Sequence, residues 1–146
     1  MDKAIIVDLD GTLCDVEHRV HHVHKADKDW KSFNDGMVDD SLNIWCAKLI
    51  EAMNGNGFKT IFVTGRDENY RSHTEEWLKK HKISYDHLHM RSAMDYRGDD
   101  EIKKEIYEND IKDKYDVLFV VDDRLSVVKM WRSIGLVCLQ CDWGDF

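Results

Sequence analysis

Proline is absent from the 146-residue sequence, cysteine occurs only four times, and basic residues are outnumbered, 21 Lys and Arg against 29 Asp and Glu. No low-complexity tract or internal repeat divides the chain, whose length fits one domain of ordinary size, residues 1–146. The net charge of −8 argues against a broad basic surface for nucleic acid and leaves room only for a small local basic pocket. No apolar run approaches the ~20 residues of a membrane span, so no membrane partner is expected. Met1-Asp2-Lys3 leads straight into a strand-like segment without a signal-peptide pattern. The few cysteines suit a reducing, cytoplasmic compartment better than a disulfide framework. Cys138-Leu139-Gln140-Cys141 is formally C-x-x-C, but it stands alone in a predicted strand, outside the usual context of zinc or redox chemistry.

What is present is organised around Ile5-Ile6-Val7-Asp8-Leu9-Asp10-Gly11-Thr12-Leu13. A short apolar run of this kind reads as a parallel strand covered on both faces. It ends in two carboxylates one residue apart, which on a strand point the same way. Two carboxylates about 4 Å apart repel by roughly 4 kcal/mol at an effective dielectric near 20, so a cation or a proton is expected between them. The bland alternative is an Asp-Gly turn after a strand.

From there the chain alternates strand and helix. Residues 14–39 read as an irregular, cap-like insert rich in charge, histidine and aromatic residues. A helix capped at Asp40 or Ser41 follows, with Leu42, Trp45, Cys46, Leu49 and Met53 on its inner face and Asn54-Gly55 at its end. The pattern then predicts a strand over 58–63 and a helix over 69–82 with Tyr70, His73, Trp77 and Leu78 inward. A weak strand over 87–90, a helix over 99–110, a strand over 117–121, a helix over 125–134 and a strand over 136–140 complete the chain. Such alternation implies a Rossmann-like three-layer α/β sandwich with a central parallel sheet.

Three predicted strands end in polar clusters: Asp8 and Asp10, Thr64-Gly65-Arg66, and Asp122-Asp123. On neighbouring strands these tips converge in the crevice where open α/β sheets bind ligands. Carboxylates from two strands suit a hard cation such as Mg²⁺. Thr64 offers a hydroxyl, the backbone at Gly65 and Gly11 admits close approach of an anion, and Lys103 or Lys104 could reach the same place. Metal, lysine, hydroxyl and a carboxylate nucleophile together describe phosphoryl transfer through an aspartyl-phosphate.

Asp-Leu-Asp-Gly-Thr-Leu, Val-Thr-Gly-Arg, a helical lysine and Val-Val-Asp-Asp, in that order, resemble the four motifs of the haloacid-dehalogenase (HAD) phosphatase superfamily. Over nearly the whole chain, the sequence is similar to the 3′-phosphatase domain of phage-type polynucleotide kinase-phosphatases. The markers are Arg97-Gly98-Asp99-Asp100, Lys103-Lys104-Glu105-Ile106, Asp122-Asp123-Arg124, Val127 to Arg132 and the closing Gly144-Asp145-Phe146. The resemblance implies Asp8 as nucleophile and Asp10 as general acid, then base. It implies Thr64 and Lys103 on the phosphoryl oxygens, and Mg²⁺ held by Asp8, the Asp10 carbonyl and Asp122 with Asp123 close by. Arg19 and Arg66 would help hold the phosphate end of the substrate, unless Arg19 is a surface residue of a mobile insert. No G-x-x-x-x-G-K-[ST] loop occurs, so no kinase activity is expected of this chain and a separate kinase or ligase would be the partner.

His18, His21, His22 and His24 lack regular ligand spacing and read as solvated or substrate-facing rather than as a metal site. Trp30 and Phe33 could stack a base or pack the insert. Three functions follow: a Mg²⁺-dependent phosphatase of 3′-phosphorylated DNA or RNA ends, a HAD phosphatase of a small phosphomonoester, or a non-catalytic module. The complete carboxylate set disfavours the last. The short insert favours a polymer end over a small, enclosed substrate.

Overall fold

The computed structural model describes every residue except Asp145, so of the closing Gly144-Asp145-Phe146 marker the middle residue lies outside the described residues. In chain order the elements are β1 (Asp2–Val7), β2 (Cys14–Asp15), α1 (Trp30–Asp35), β3 (Ser41–Leu42), α2 (Ile44–Gly55), β4 (Lys59–Asp67), α3 (Arg71–Lys80), β5 (His87–Arg91), α4 (Asp99–Ile106), β6 (Tyr115–Asp122), α5 (Leu125–Ser133) and β7 (Cys138–Gln140). Five strands form a parallel sheet in the order β5-β4-β1-β6-β7. The apolar run of β1, Ala4 to Val7, is buried throughout, as a strand covered on both faces must be. On one face Ile5, Val7, Phe62 and Leu88 pack against Cys46 and Ile50 of α2 and Trp77 and Leu78 of α3. On the other, Ile6, Ile61 and Val120 pack against Val127, Val128 and Trp131 of α5. The expected three-layer sandwich is therefore present. Among the described residues no helix is long and apolar enough to cross a membrane.

This strand order places the functional residues. The chain runs outward from β1 to β4 and β5, then returns to the other side of β1 for β6 and β7. The direction reverses at β1, and ligands bind beyond the carboxyl ends of the strands at such a switch point. Asp8 follows β1 directly, and its amide donates to the Val121 carbonyl at 3.0 Å, locking it to β6.

Several local expectations are corrected. The insert is not irregular: 3-10 turns at Glu17–Val23 and Gly36–Asp39 flank α1, and the two-residue strands β2 and β3 pair antiparallel at its base. Asp40 does not cap α2. It is extended, with φ −60° and ψ 137°, and its carboxylate turns inward, while Asn43 occupies the cap position and donates Nδ2–H to the Thr12 carbonyl at 2.8 Å. The inner stripe of α2 centres on Cys46 and Ile50, which rotates Trp45 out to 48% exposure. The inner face of α3 starts at Thr74 and continues with Trp77 and Leu78, leaving Tyr70 half-buried and His73 exposed. The helix expected over 99–110 ends its α-helical part at Ile106 and continues as a single wider π turn, Tyr107–Ile111.

Trp77 fastens the insert to the body, since its buried indole N–H donates to the Asp40 carbonyl at 2.9 Å. Trp77→Phe keeps the aromatic packing but strands that carbonyl. Urea unfolding should show a loss of about 1–2 kcal/mol. A variant as stable as the parent would mean that this bond does not hold the insert.

Candidate active site

Two charge clusters meet where the strands end. In the first, Lys103 Nζ donates to Asp8 Oδ1 and Asp122 Oδ2, both at 2.9 Å. Thr12 Oγ1 donates to Asp8 Oδ2 at 3.2 Å, the Asp123 amide to Asp122 Oδ1 at 2.9 Å, and the Trp131 indole to Asp122 Oδ2 at 3.3 Å. Both carboxylate oxygens of Asp123 are buried and find no hydrogen-bond donor among the described residues. Oxygens of Asp8, Asp122 and Asp123 lie within 4.8 Å of one another. When all are ionised, three carboxylates against one ammonium leave two negative charges uncompensated in a buried space. An all-oxygen donor set with that deficit and an orphaned carboxylate fits a hard divalent cation such as Mg²⁺.

Burial, reinforced by Asp122 and Asp123 and opposed by Lys103, pushes the Asp8 carboxyl well above its ordinary range. Burial, together with Asp122, pushes Asp123 up to about 6. Lys103 is fully buried, which alone would lower its pKa, but Asp122 and Asp8 outweigh burial and keep it protonated. Gly11 lets these groups crowd together. Its φ is +81°, and a β-carbon there would lie 2.0 Å from Asp123 Oδ2.

The second cluster is balanced. Arg19 grips Asp40 with Nε and Nη2 at 2.8 and 2.7 Å, and also donates to the Phe33 carbonyl and to Asp10 Oδ1, the latter at 2.7 Å. Arg66 donates Nη2 to Asp10 Oδ1 at 2.7 Å, Nε to both Asp10 oxygens and Nη1 to Thr74 Oγ1 at 3.0 Å. His18 Nε2 lies 2.7 Å from Asp40 Oδ1. Burial would raise the pKa of Asp10, but Arg66 and then Arg19 outweigh it and hold the carboxylate well below its ordinary range.

Asp8, Asp10, Lys103, Asp122, Asp123, Gly65 and Arg66 all line one cleft of about 460 Å³. Lys103 is buried in this cluster and Lys104 is exposed, so the geometry distinguishes the two lysines. Thr64 is fully buried, and its oxygen accepts the Arg66 amide at 3.1 Å. A β-carbon on Gly65 would lie 2.4 Å from Asp99 Oδ1. Arg19 is only 1% exposed, which removes the mobile-surface alternative. Every guanidinium nitrogen of Arg19 faces a protein acceptor, so in this structure it is directed at Asp10 and Asp40 rather than at open solvent. No histidine joins a metal-ligating group among the described residues. The cysteines are free, and burial pushes the thiols of Cys138 and Cys141 up to about 12.

Sequence reasoning missed Asp40, Thr12 and Asp99. Asp40 sat before a helix and carried a plausible local role. Asp99 began a helix, yet it receives Arg91 and, at 2.9 Å, Arg124 Nη1. Only the fold brings these partners together.

The sequence model of the family described as the polynucleotide kinase PNKP phosphatase domain matches residues 2–146. The chain belongs to this family. It is thus a HAD-type phosphatase domain of the polynucleotide kinase-phosphatase group, and phosphatases of the HAD superfamily generally depend on a metal. A chain in the structure of the Pnkp1/Rnl/Hen1 RNA repair complex matches it with a TM-score of 0.88 and 39% identity, covering 100% of this chain and 44% of that one. An Autographa californica nuclear polyhedrosis virus protein, named as a bifunctional polynucleotide kinase/RNA ligase, is 29% identical over 138 residues, 92% of this chain and 18% of its own length. The chain therefore spans less than half the length of either relative. The class C acid phosphatase of Bacillus anthracis, solved with tungstate bound, shares the fold at a TM-score of 0.71 and 15% identity over 100% of this chain and 69% of that one.

Asp123→Asn removes a buried charge that has no donor among the described residues. In excess EDTA at pH 7.5 it should raise unfolding stability by about 1–3 kcal/mol. Because the folded-state pKa is raised, the penalty that Asp123 imposes is full above pH 6, shrinks as Asp123 takes up its proton, and is gone below about pH 4. A gain that persists undiminished at pH 4 would contradict this origin.

Arg19→Ala leaves Asp40 and Asp10 short of a buried partner. The cost should be on the order of 3–5 kcal/mol in urea unfolding. A loss below about 1 kcal/mol would show that the paired cluster does not brace the insert.

Proposed function

We propose that the chain removes the phosphate from the 3′ end of a polynucleotide through a covalent aspartyl-phosphate on Asp8. The observation that carries this reading is the Asp8–Lys103–Asp122 cluster at the switch point of a chain matched end to end by a polynucleotide phosphatase family. An Asp8 oxygen attacks phosphorus, the bond from phosphorus to the 3′ oxygen breaks, and that oxygen takes its electron pair together with a proton from Asp10. Water then attacks the same phosphorus, Asp10 recovers the proton, and the bond to Asp8 breaks to release inorganic phosphate. Lys103 and Thr64 hold the phosphoryl oxygens. Asp8, Asp122, Asp123 and the Asp10 carbonyl would hold Mg²⁺, which when bound supplies neutralisation of the crowded negative charge.

Asp10 begins this sequence ionised between two arginines, an unsuitable state for an acid. The arriving phosphate offers Arg19 and Arg66 a competing anion with matching fork geometry. Drawn to it, the guanidiniums release Asp10, which takes up from solvent the proton that it then gives to the 3′ oxygen, and the two arginines become the substrate's own anchors. The names of the relatives support a kinase or ligase as partner, and the low cysteine count is the ground for placing the work in the cytoplasm.

Turnover of 3′-phosphorylated oligonucleotides, 5′-phosphorylated oligonucleotides and mononucleotides tests this reading. The first should be cleaved with Mg²⁺, and activity should disappear with excess EDTA. Asp8→Asn should fall to background while remaining folded. Preference for mononucleotides would shift the assignment to a small phosphomonoester. Full activity of Asp8→Asn would remove the covalent route.

A further inference from the structure

Phosphate chemistry accounts for the floor of the cleft but not for its rim. The 92–98 loop between β5 and α4 carries Met94 and Tyr96, exposed by 80% and 88%, into the lining of the cleft that holds Asp8 and Asp122. Isolated exposed apolar side chains are ordinary on protein surfaces. These two differ in how firmly the backbone beneath them is held. Arg91 donates Nε to the Gly65 carbonyl and Nη1 to the Asp95 carbonyl, both at 2.9 Å, reaches the Arg97 carbonyl, and pairs with Asp99. Arg97 grips both carboxylate oxygens of Asp95 at 3.0 and 2.7 Å and Glu105 at 2.6 Å. Met94 has φ +65°, a left-handed conformation costly to any residue with a β-carbon and often retained at ligand sites. The Tyr96 hydroxyl has no hydrogen-bond partner among the described residues.

The insert supplies a second aromatic group to the same cleft. Trp30 of α1 is 43% exposed and stands edge-on to the buried Phe33, ring centroids 5.6 Å apart. The loop leads into α4, whose Ile106 joins the core on the α5 face, whereas Phe33 belongs to the core on the α2 and α3 face. The two groups therefore reach the cleft from opposite sides of the sheet.

We propose that Tyr96 and Met94 on one lip and Trp30 on the other form a subsite for the heterocyclic base of the terminal nucleoside, with Tyr96 as a specificity-determining residue. The inference rests on the polynucleotide reading above. Arg91, Arg97, Asp95 and Asp99 are paired among themselves, so the loop lip offers ring and thioether faces rather than net charge. Such a lip suits a flat, neutral base and not the charged backbone of a long strand. A cleft of about 460 Å³ falls within the range that takes one small organic molecule, room for a single terminal nucleotide above the phosphate site. Stacking of this kind tolerates any base sequence.

The test compares 3′-phosphorylated oligonucleotides that end in a normal or an abasic nucleotide, using the parent, Tyr96→Ala and Tyr96→Trp. The parent should favour the base-bearing end by about tenfold in kcat/KM, mostly through KM. Tyr96→Ala should lose most of that preference, and Tyr96→Trp should keep it. Since Tyr96 makes no side-chain hydrogen bond or ring contact among the described residues and is 88% exposed, misfolding does not compete as an explanation. Equal use of both ends by the parent, or a preference undiminished in Tyr96→Ala, rejects the subsite while leaving the phosphatase assignment intact. If the parent turns over a simple phosphomonoester but neither oligonucleotide, the polynucleotide reading falls and the subsite falls with it.

Discussion

Buried negative charge at the carboxyl end of one central strand is the constraint around which this structure is built. Two carboxylate clusters sit side by side and meet it in opposite ways. Asp10 and Asp40 are matched by Arg19 and Arg66, with Asp40 fully buried and Asp10 left partly open to the cleft. Asp8, Asp122 and Asp123 share a single ammonium and keep their deficit. Buried ion pairs contribute little net stability, but they make any other arrangement of their partners costly. The balanced cluster joins a residue from the nucleophile loop, two from the insert and its exit, and one from β4. It therefore fixes the insert over the site, while the unbalanced cluster stays poised to receive positive charge.

A second set of contacts runs around the rim. Asp99 receives Arg91 and Arg124. Arg124 also donates to the Phe146 carbonyl and lies over the Phe146 ring, with 4.9 Å to its centroid. Phe146 in turn meets Phe33 of α1, centroids 5.6 Å apart. The 92–98 loop, Phe146 and the insert are thereby linked around one opening, although they come from three separate stretches of sequence.

Much of this was legible in the sequence because it follows from local pattern. A buried strand has to be apolar, so the switch from Val7 to Asp8 marks its end without knowledge of its neighbours. The same holds for Val121 and Asp122, and for Val63 and Thr64. The order of the motifs then supplied the convergence. What stayed hidden depends on long-range partners. Asp40 has the chemistry of a helix cap and also that of an ion-pair hub, and only the approach of Arg19 and Arg66 decides between them. Trp45 looked interior because two neighbouring helical stripes were both apolar, and the one centred on Cys46 and Ile50 faces the sheet. The exposure of Tyr96 has no local signature, since a loop tyrosine reads the same whether covered or bare.

The pairing of β1 with β6 carries a further consequence, for the time order in which the protein acquires its shape. Residues 2–7 find one neighbour in residues 59–62 but the other only in residues 115–121. Contacts of such sequence separation form slowly, because a long loop must close before they repay its entropy. A growing chain can assemble β1, β4 and β5 with their helices long before β6 exists, exposing the bare flank of β1 as an open edge. Lys103 comes earlier, on α4, but Asp122 and Asp123 arrive only with β6, so their repulsion with Asp8 is absent while the first half of the sheet forms. It is imposed only as β6 docks, when the rest of the core is already in place to bear it.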